Sequence, residues 1–218
     1  MGRDYPEEAV GQMCIDGKNL SEFSKKIIKL GYTGICFPEK YGGEEFGPIE
    51  AGIIAEELSR HSIDFGFSYG LSLAVGLMVL KYGAEPQKKE CLPGLISGGF
   101  NAGIGCPEPY LLGPVGEAET GNDVRLVIYT DHFFSERRDP LKGLILLPVK
   151  IDGKLCPVLL PSRELAGGKP APVLGRQLLA LVEYPPQEIL CDKAHLIGGG
   201  NEALLYLKNY LKFFNALS

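Results

Sequence analysis

The side chains best suited to chemistry are few and scattered along the chain. No two cysteines form a CxxC pair and none lies near a histidine in a zinc-like arrangement, so the sequence predicts no metal site. Cys106 has no cationic neighbour in the sequence, which predicts an unreactive thiol that packs as a small apolar group. Glu108 is a candidate acid or base, but an exposed carboxylate without a catalytic role is the simpler interpretation. The six cysteines stand at positions 14, 36, 91, 106, 156 and 191.

The three histidines and a run of glycines also lack the context of an active site. His61 follows Arg60 at the predicted end of a helix, where a histidine caps carbonyl groups more often than it catalyses. His132 and His195 stand in polar segments with no partner indicated by the sequence. The run Gly198–Gly200 lacks the strand and the Lys-Ser/Thr pair of a phosphate-binding loop, so phosphate binding is not predicted there.

Composition and charge limit the class of protein. Of 218 residues, 45% are hydrophobic and 22% charged, which excludes collagen-like, disordered and coiled-coil chains. With 22 basic and 27 acidic residues the net charge is −5, which argues against a general binder of nucleic acid or anionic lipid. The acidic start, MGRDYPEE, is unlike a signal peptide, so we expect a reduced, cytoplasmic protein. The uncharged run Phe65–Leu80 is shorter than the roughly 20 residues that span a bilayer, and it predicts a buried helix.

Helices are predicted from residue 19 to about residue 98. Apolar residues recur there at helical spacing, and residues that favour helix ends separate the segments. The predicted ends are Asn19 and Gly31 for the first helix, Pro48 for the start of the second, Ser62 or Asp64 and Gly83 for the third, and Glu85 and Ser97 for the fourth.

Strands are predicted after residue 100, where short β-type runs alternate with Pro- and Gly-rich turns. The runs are VRLVIYT, GLILLPVK, KLCPVLLP and QLLALVEY, and their density of turns is typical of an antiparallel barrel or sandwich. The last segment, Asn201–Ser218, returns to helical spacing. Its apolar stripe predicts that this helix packs against another surface, and the chain itself supplies little further sequence to form that surface.

Several blocks resemble the acyl-CoA dehydrogenase family of flavoproteins. LGYTGICFPEKYGG at 30–43, EAGIIAEELSRHS at 50–62 and KYGAEPQKKECLPGLISGG at 81–99 resemble its N-terminal domain. LPSRELAGGKPAPVLGRQ and KAHLIGGGNEALLYLKNYL, further on, are similar to the end of its β-domain and the entry to its last helical domain. The blocks occur in the family's order over most of the chain.

The resemblance implies an α+β chain: an all-helical N-terminal domain, an antiparallel β-barrel-like domain and a short C-terminal helix. The implied boundaries are 1–99 for the helical domain, 100–197 for the middle β-domain and 198–218 for the start of a C-terminal helical domain. Family members continue into a four-helix bundle that builds the oligomer, so we expect a truncated chain that stops where the bundle begins. The terminal helix would then join a homo-oligomer or a second subunit.

The family's reaction is the FAD-dependent oxidation of the CH–CH bond of acyl-CoA thioesters, in fatty acid or acyl-CoA metabolism. A carboxylate base takes a proton while FAD accepts a hydride. Because that base lies in the bundle in most members, no catalytic residue is assigned here. We therefore expect an oxidoreductase-like flavoprotein chain that is inactive alone.

The motifs that the family turns toward its flavin are altered in this sequence. A family strand ends in Thr-Glu-Pro before a turn of Gly-Ser-Asp type. Pro107 replaces that threonine and offers neither a hydroxyl nor an N–H, and the turn has become Tyr110–Pro114. The family's neighbouring Trp-Ile-Thr segment has Ile128-Tyr129-Thr130 as a loose substitute, in a chain without tryptophan. The resemblance thus gives Cys106, Pro107, Glu108, Tyr129 and Thr130 as candidate cofactor-binding residues, with weak or absent FAD binding.

Three hypotheses follow. The first is a flavoprotein subunit that is active only with a partner supplying the bundle. A non-catalytic structural or acyl-CoA-binding subunit that has lost flavin is the second. The third is a degenerate product that folds without a specific role. Bound flavin separates the first from the second, and a complex with another polypeptide separates both from the third.

Overall fold

The computed structural model describes residues 20–99, 101–109, 111–120, 125–137, 143–171 and 180–216. Within these ranges the helices are α1 (Leu20–Lys29), α2 (Pro48–His61), α3 (Ile63–Tyr82), α4 (Glu85–Ile96) and α5 (Gly200–Ala216). The strands are β1 (Asn101–Ile104), β2 (Gly116–Thr120), β3 (Arg125–Thr130), β4 (Phe133–Arg137), β5 (Gly143–Ile151), β6 (Lys154–Pro161), β7 (Lys169–Pro170), β8 (Ala180–Tyr184) and β9 (Gln187–Asp192).

Local end signals set the helix boundaries, as the sequence predicts. Gly31 follows α1 with a φ of 75°, a left-handed conformation that costs glycine little. Pro48 is the first residue of α2, and the Glu50 carboxylate accepts a hydrogen bond of 3.0 Å from the Gly47 N–H that precedes it. Ser62 and Gly83 flank α3 on either side. Asn19, the predicted cap of α1, lies outside the described residues.

The apolar helix α3 is the centre of the helical layer. By length and composition it is apolar enough to cross a membrane, but 83% of the relevant window is buried inside the protein. It packs against α2, α4 and α5 and reaches β1. Gly76 allows this close packing, because a Cβ there would lie 2.5 Å from Cζ of Phe37. Its uniform hydrophobicity is therefore that of a core helix.

The strands form two sheets. The six-stranded sheet has the order β1-β5-β2-β3-β9, with β6 also paired to β5, and the three-stranded sheet has the order β4-β8-β7. The α+β fold class predicted from the sequence is confirmed. The sheet differs in one respect from a purely antiparallel one, because β5 pairs in parallel with both β1 and β2.

The strands β5 and β6 separate two hydrophobic cores. Leu144, Leu146 and Leu159 face the core formed with the helices, whereas Ile145 and Leu147 face the core inside the β-layer. Burial on both faces explains why β5 is a continuous apolar run instead of an alternating one.

Helix α5 finds most of its packing partners within the chain. Ala203, Leu204 and Leu207 are buried, and the helix lies against α3 and β6. Leu205, on another face, is 55% exposed. The apolar stripe predicted from the sequence is thus covered largely by α3 over the residues whose side chains are described.

Candidate functional site

Cys106 lies where the chain crosses from one sheet to the other. The Gly105 N–H still donates to the Leu146 carbonyl of β5 at 2.8 Å. One residue later, the Cys106 N–H donates to the Phe134 carbonyl at 2.7 Å, and the Phe134 N–H donates back to the Cys106 carbonyl at 2.8 Å. Gly105 packs closely here, because a Cβ there would lie 2.7 Å from Cδ2 of Leu147, which would have to shift. Both backbone groups of Cys106 are therefore engaged with β4, and its side chain packs against the helical core.

Pro107 and Glu108 form the turn that follows. Glu108 is exposed, and its carbonyl accepts a hydrogen bond of 3.0 Å from the Leu111 N–H. Pro107 is half-buried, and a Cβ on Gly113 would lie 3.2 Å from its Cγ, so proline and glycine pack together across the turn. Neither residue directs a backbone N–H and a hydroxyl toward one point, as Thr-Glu would.

Tyr129 and Thr130 lie on β3, away from the strand that pairs with Cys106. Tyr129 is 46% exposed and stands between Glu117 of β2 and Glu188 of β9 in the strand register. Thr130 is buried, and its hydroxyl lies 3.2 Å from both the carbonyl oxygen and the amide nitrogen of Gln187. The structure therefore separates these two residues from Cys106 in strand pairing, and the Thr130 hydroxyl is already used within the protein.

The strand beside Cys106 is β4, which the sequence interpretation missed. It carries Phe133-Phe134-Ser135, an aromatic–apolar–hydroxyl pattern of the same kind as Trp-Ile-Thr. Phe133 is buried and stacks on Tyr184 of β8, with ring centroids 5.0 Å apart. Ser135 is 2% exposed, and its Oγ has no hydrogen-bond partner among the described residues. That pattern could have indicated the strand from the sequence. The charged residues that follow Ser135, in the run ERRDP, hide it because they are unusual in a strand.

Four other cysteines are unreactive by environment. Burial raises the pKa of the Cys36 and Cys91 thiols to about 11, and the nearby carboxylates Glu50 and Glu90 contribute in the same direction. The pKa of Cys191 is raised to about 11 mainly by burial, and that of Cys156 is raised for the same first reason. These groups are therefore neutral thiols near pH 7 and not nucleophiles.

His132, His195 and Gly199 have structural partners. Nε2 of His132 lies 2.7 Å from Oε1 of Glu183, and Nδ1 of His195 lies 3.1 Å from the Asp192 carbonyl oxygen. Gly199 lies against a tyrosine, because a Cβ there would be 2.4 Å from Cδ1 of Tyr82. Nothing is described of the His61 side chain. Within the described ranges, no three His, Cys, Asp or Glu side chains form a cluster that could hold a metal ion.

Comparison with known proteins identifies similarity over the N-terminal part of the chain. Residues 6–99 match the family profile for the acyl-CoA dehydrogenase N-terminal domain. Mitochondrial isovaleryl-CoA dehydrogenase of Pongo abelii is 42% identical over 94 residues, which cover 42% of this chain and 22% of that protein. A probable acyl-CoA dehydrogenase of Bacillus subtilis is 41% identical over 112 residues, covering 49% of this chain and 19% of that protein. The chain thus matches about a fifth of the length of these relatives.

The fold extends the similarity beyond the N-terminal domain. The structure of butyryl-CoA dehydrogenase from Megasphaera elsdenii superposes with a TM-score of 0.80 at 18% identity, covering 98% of this chain and 59% of that one. The β-layer and α5 are therefore arranged as in that structure. Residues 6–99 therefore match an acyl-CoA dehydrogenase N-terminal domain, and the remainder of the chain shares the fold of that structure.

Proposed function

We propose that this chain is an acyl-CoA dehydrogenase-like protein that does not hold FAD firmly and does not carry out the family's oxidation by itself. The observation that carries this proposal is that the polar groups expected to face a flavin are either paired or missing. Cys106 exchanges both backbone hydrogen bonds with Phe134, Pro107 has no N–H, and Thr130 is bonded to Gln187.

The side chains around these groups add to the argument. Phe133, in the position that the Trp-Ile-Thr pattern gives to an aromatic ring, is enclosed by stacking on Tyr184 and has no exposed face. When bound, FAD supplies the hydride acceptor of the family's reaction. The residues at 105–108 and 133–135 do not fit such a group as they are packed, so no catalytic step is assigned to them.

This proposal extends to the other sequence predictions. Residues 1–99 and 100–197 would act as the helical and β-domains, with 198–218 as the beginning of a third. Acyl-CoA is the ligand expected from the resemblance, in a cytoplasmic protein. A homo-oligomer or a second subunit would attach at α5, where Leu205 remains exposed.

A second candidate, a flavoprotein subunit that keeps its cofactor, is favoured by one observation. Ser135 presents a buried hydroxyl with no partner among the described residues, on the strand that pairs with Cys106. A buried hydroxyl of this kind gains free energy from any acceptor brought to it, including a ligand atom.

The test is the visible absorption spectrum of the purified protein after incubation with FAD and gel filtration. We expect a colourless protein, together with no acyl-CoA-dependent reduction of a dye acceptor. Pro107→Thr restores the hydroxyl and the N–H, so it should increase retained flavin if position 107 is the obstacle. Pro86→Thr, at an exposed proline of α4 outside this motif, is the matched control and should change nothing. One flavin per wild-type chain after gel filtration would overturn the proposal in favour of the second candidate.

A further inference from the structure

The side chain of Gln87 occupies an unusual position at the start of α4. It belongs to the block 81–99 that carries the family resemblance, and the site described above does not involve it. Its Oε1 accepts a hydrogen bond of 2.7 Å from the Ala84 N–H, which caps the first turn of the helix. The amide oxygen alone therefore completes the local role of this residue.

The amide nitrogen of Gln87 makes two hydrogen bonds to a distant segment, which a helix cap does not require. Its Nε2 donates to the Ala194 carbonyl at 2.6 Å and to the Leu196 carbonyl at 3.0 Å. These acceptors lie more than a hundred residues away, in the turn between β9 and α5. One side chain thus connects the helical layer to the segment that leads into α5.

That segment is held on its other side by β6. Leu196 forms an isolated bridge with Val158, and the Ile197 N–H donates to the Pro157 carbonyl at 2.9 Å. Asp192 stabilises the start of the turn, because its Oδ1 accepts 2.8 Å from the Ala194 N–H. The turn 193–197 is therefore clamped between β6 and Gln87.

We propose that Gln87 is a latch that keeps the turn 193–197 and the first turn of α5 docked on the helical layer. Beyond the latch, the residues that begin α5 are held mainly by the bonds to β6 and by packing of Gly198 and Gly199 against Tyr82. Gly198 and Gly199 are exposed, and the Glu202 N–H bonds only within the turn, to the Gly199 carbonyl at 3.0 Å. The first buried side chains of α5 are those of Ala203 and Leu204. Releasing Gln87 removes two of the hydrogen bonds that hold this turn, so residues 194–202 open more often while α2 and α3 stay folded. This inference is independent of flavin binding.

Hydrogen exchange measured by mass spectrometry tests the latch. Gln87→Glu keeps an acceptor for the Ala84 N–H but replaces the donor with a second carboxylate oxygen facing two carbonyls. We expect amide exchange in 194–202 to become roughly tenfold faster or more, while peptides of α2 and α3 keep their wild-type rates. Lys89→Ala, an exposed change on the same helix, is the matched control and should leave 194–202 unchanged.

Two outcomes would overturn the latch. One is wild-type exchange at 194–202 in Gln87→Glu. The other is an equal acceleration in α2, α3 and 194–202, which would make Gln87 an ordinary contributor to global stability. Leu92→Ala removes a buried side chain of α4 and gives the pattern of general destabilisation for comparison.

Discussion

The buried hydroxyl of Ser135 on β4 allows a quantitative test of whether it lacks a hydrogen-bond partner. It is 2% exposed and its Oγ has no partner among the described residues, so folding removes it from water without compensation. An unsatisfied buried hydroxyl costs about 1–3 kcal/mol. Ser135→Ala removes the oxygen and keeps the Cβ, so the cost disappears while a small loss of packing remains. We expect the free energy of unfolding to rise by about 1 kcal/mol, or the Tm by about 2–4 °C.

The assay is urea unfolding followed by circular dichroism, with no added ligand. Thr130→Val is the matched control, because Thr130 is also buried on a neighbouring part of the β-layer but its hydroxyl is bonded to Gln187 on both sides. That substitution should lower the free energy of unfolding by about 1–2 kcal/mol. Opposite signs for the two variants would show that unmet hydrogen bonding, and not hydroxyl removal in general, sets the effect.

A loss of stability in Ser135→Ala would refute the reasoning, since it would mean that the hydroxyl has a partner in solution. Repeating the measurement with FAD extends the test. If the Ser135 hydroxyl binds the flavin, the ligand stabilises the wild-type protein by mass action and stabilises Ser135→Ala less. Equal curves with and without FAD for both proteins agree with a chain that does not hold the cofactor.

Three further predictions concern buried thiols and a close helix contact. Alkylation by iodoacetamide should be slower in the folded than in the unfolded protein at pH 8, because burial raises the pKa of Cys36, Cys91 and Cys191 from 9.0 to about 11; equal rates would contradict this. Since the unfolded thiols ionise first, their contribution to stability is present below about pH 9 and is lost as pH rises toward 11, which pH-dependent thermal unfolding measures. Gly66→Ala should lower the free energy of unfolding by about 1–3 kcal/mol, because the new Cβ would lie 2.8 Å from the Ala55 carbonyl oxygen of α2. An unchanged Tm would contradict this, since it would mean that α2 and α3 move apart at no cost.

Helix positions were predictable because their signals are local. Pro48 begins α2 and Gly31 ends the turn after α1, each through backbone preferences that act within one turn of chain. Gly83 follows α3 in an extended conformation, with a φ of −68°. The apolar runs of β3, β5, β6 and β8 were likewise visible, because they pack into cores. The family resemblance over residues 30–99 rests on the same kind of contiguous pattern, and the profile match over 6–99 confirms it.

Strands without an apolar run escaped the sequence interpretation. β1 is NAGI and β2 is GEAET, with few of the β-branched and aromatic residues that favour strands. They are strands because β5 offers backbone partners to both, in parallel registers that only the folded sheet defines. Long-range pairing supplies the free energy that their own residues do not.

The sequence by itself determined the resemblance of the N-terminal part to acyl-CoA dehydrogenases, the helix boundaries, the α+β class and the absence of a threonine at position 107. Only the tertiary structure decided that β4 is the strand beside Cys106 and that the Ser135 hydroxyl has no partner among the described residues. It also revealed the second use of Gln87, whose partners are more than a hundred residues away. The physical reason is range: caps and periodicity act within a few residues, whereas hydrogen-bond partners across sheets depend on how distant segments meet.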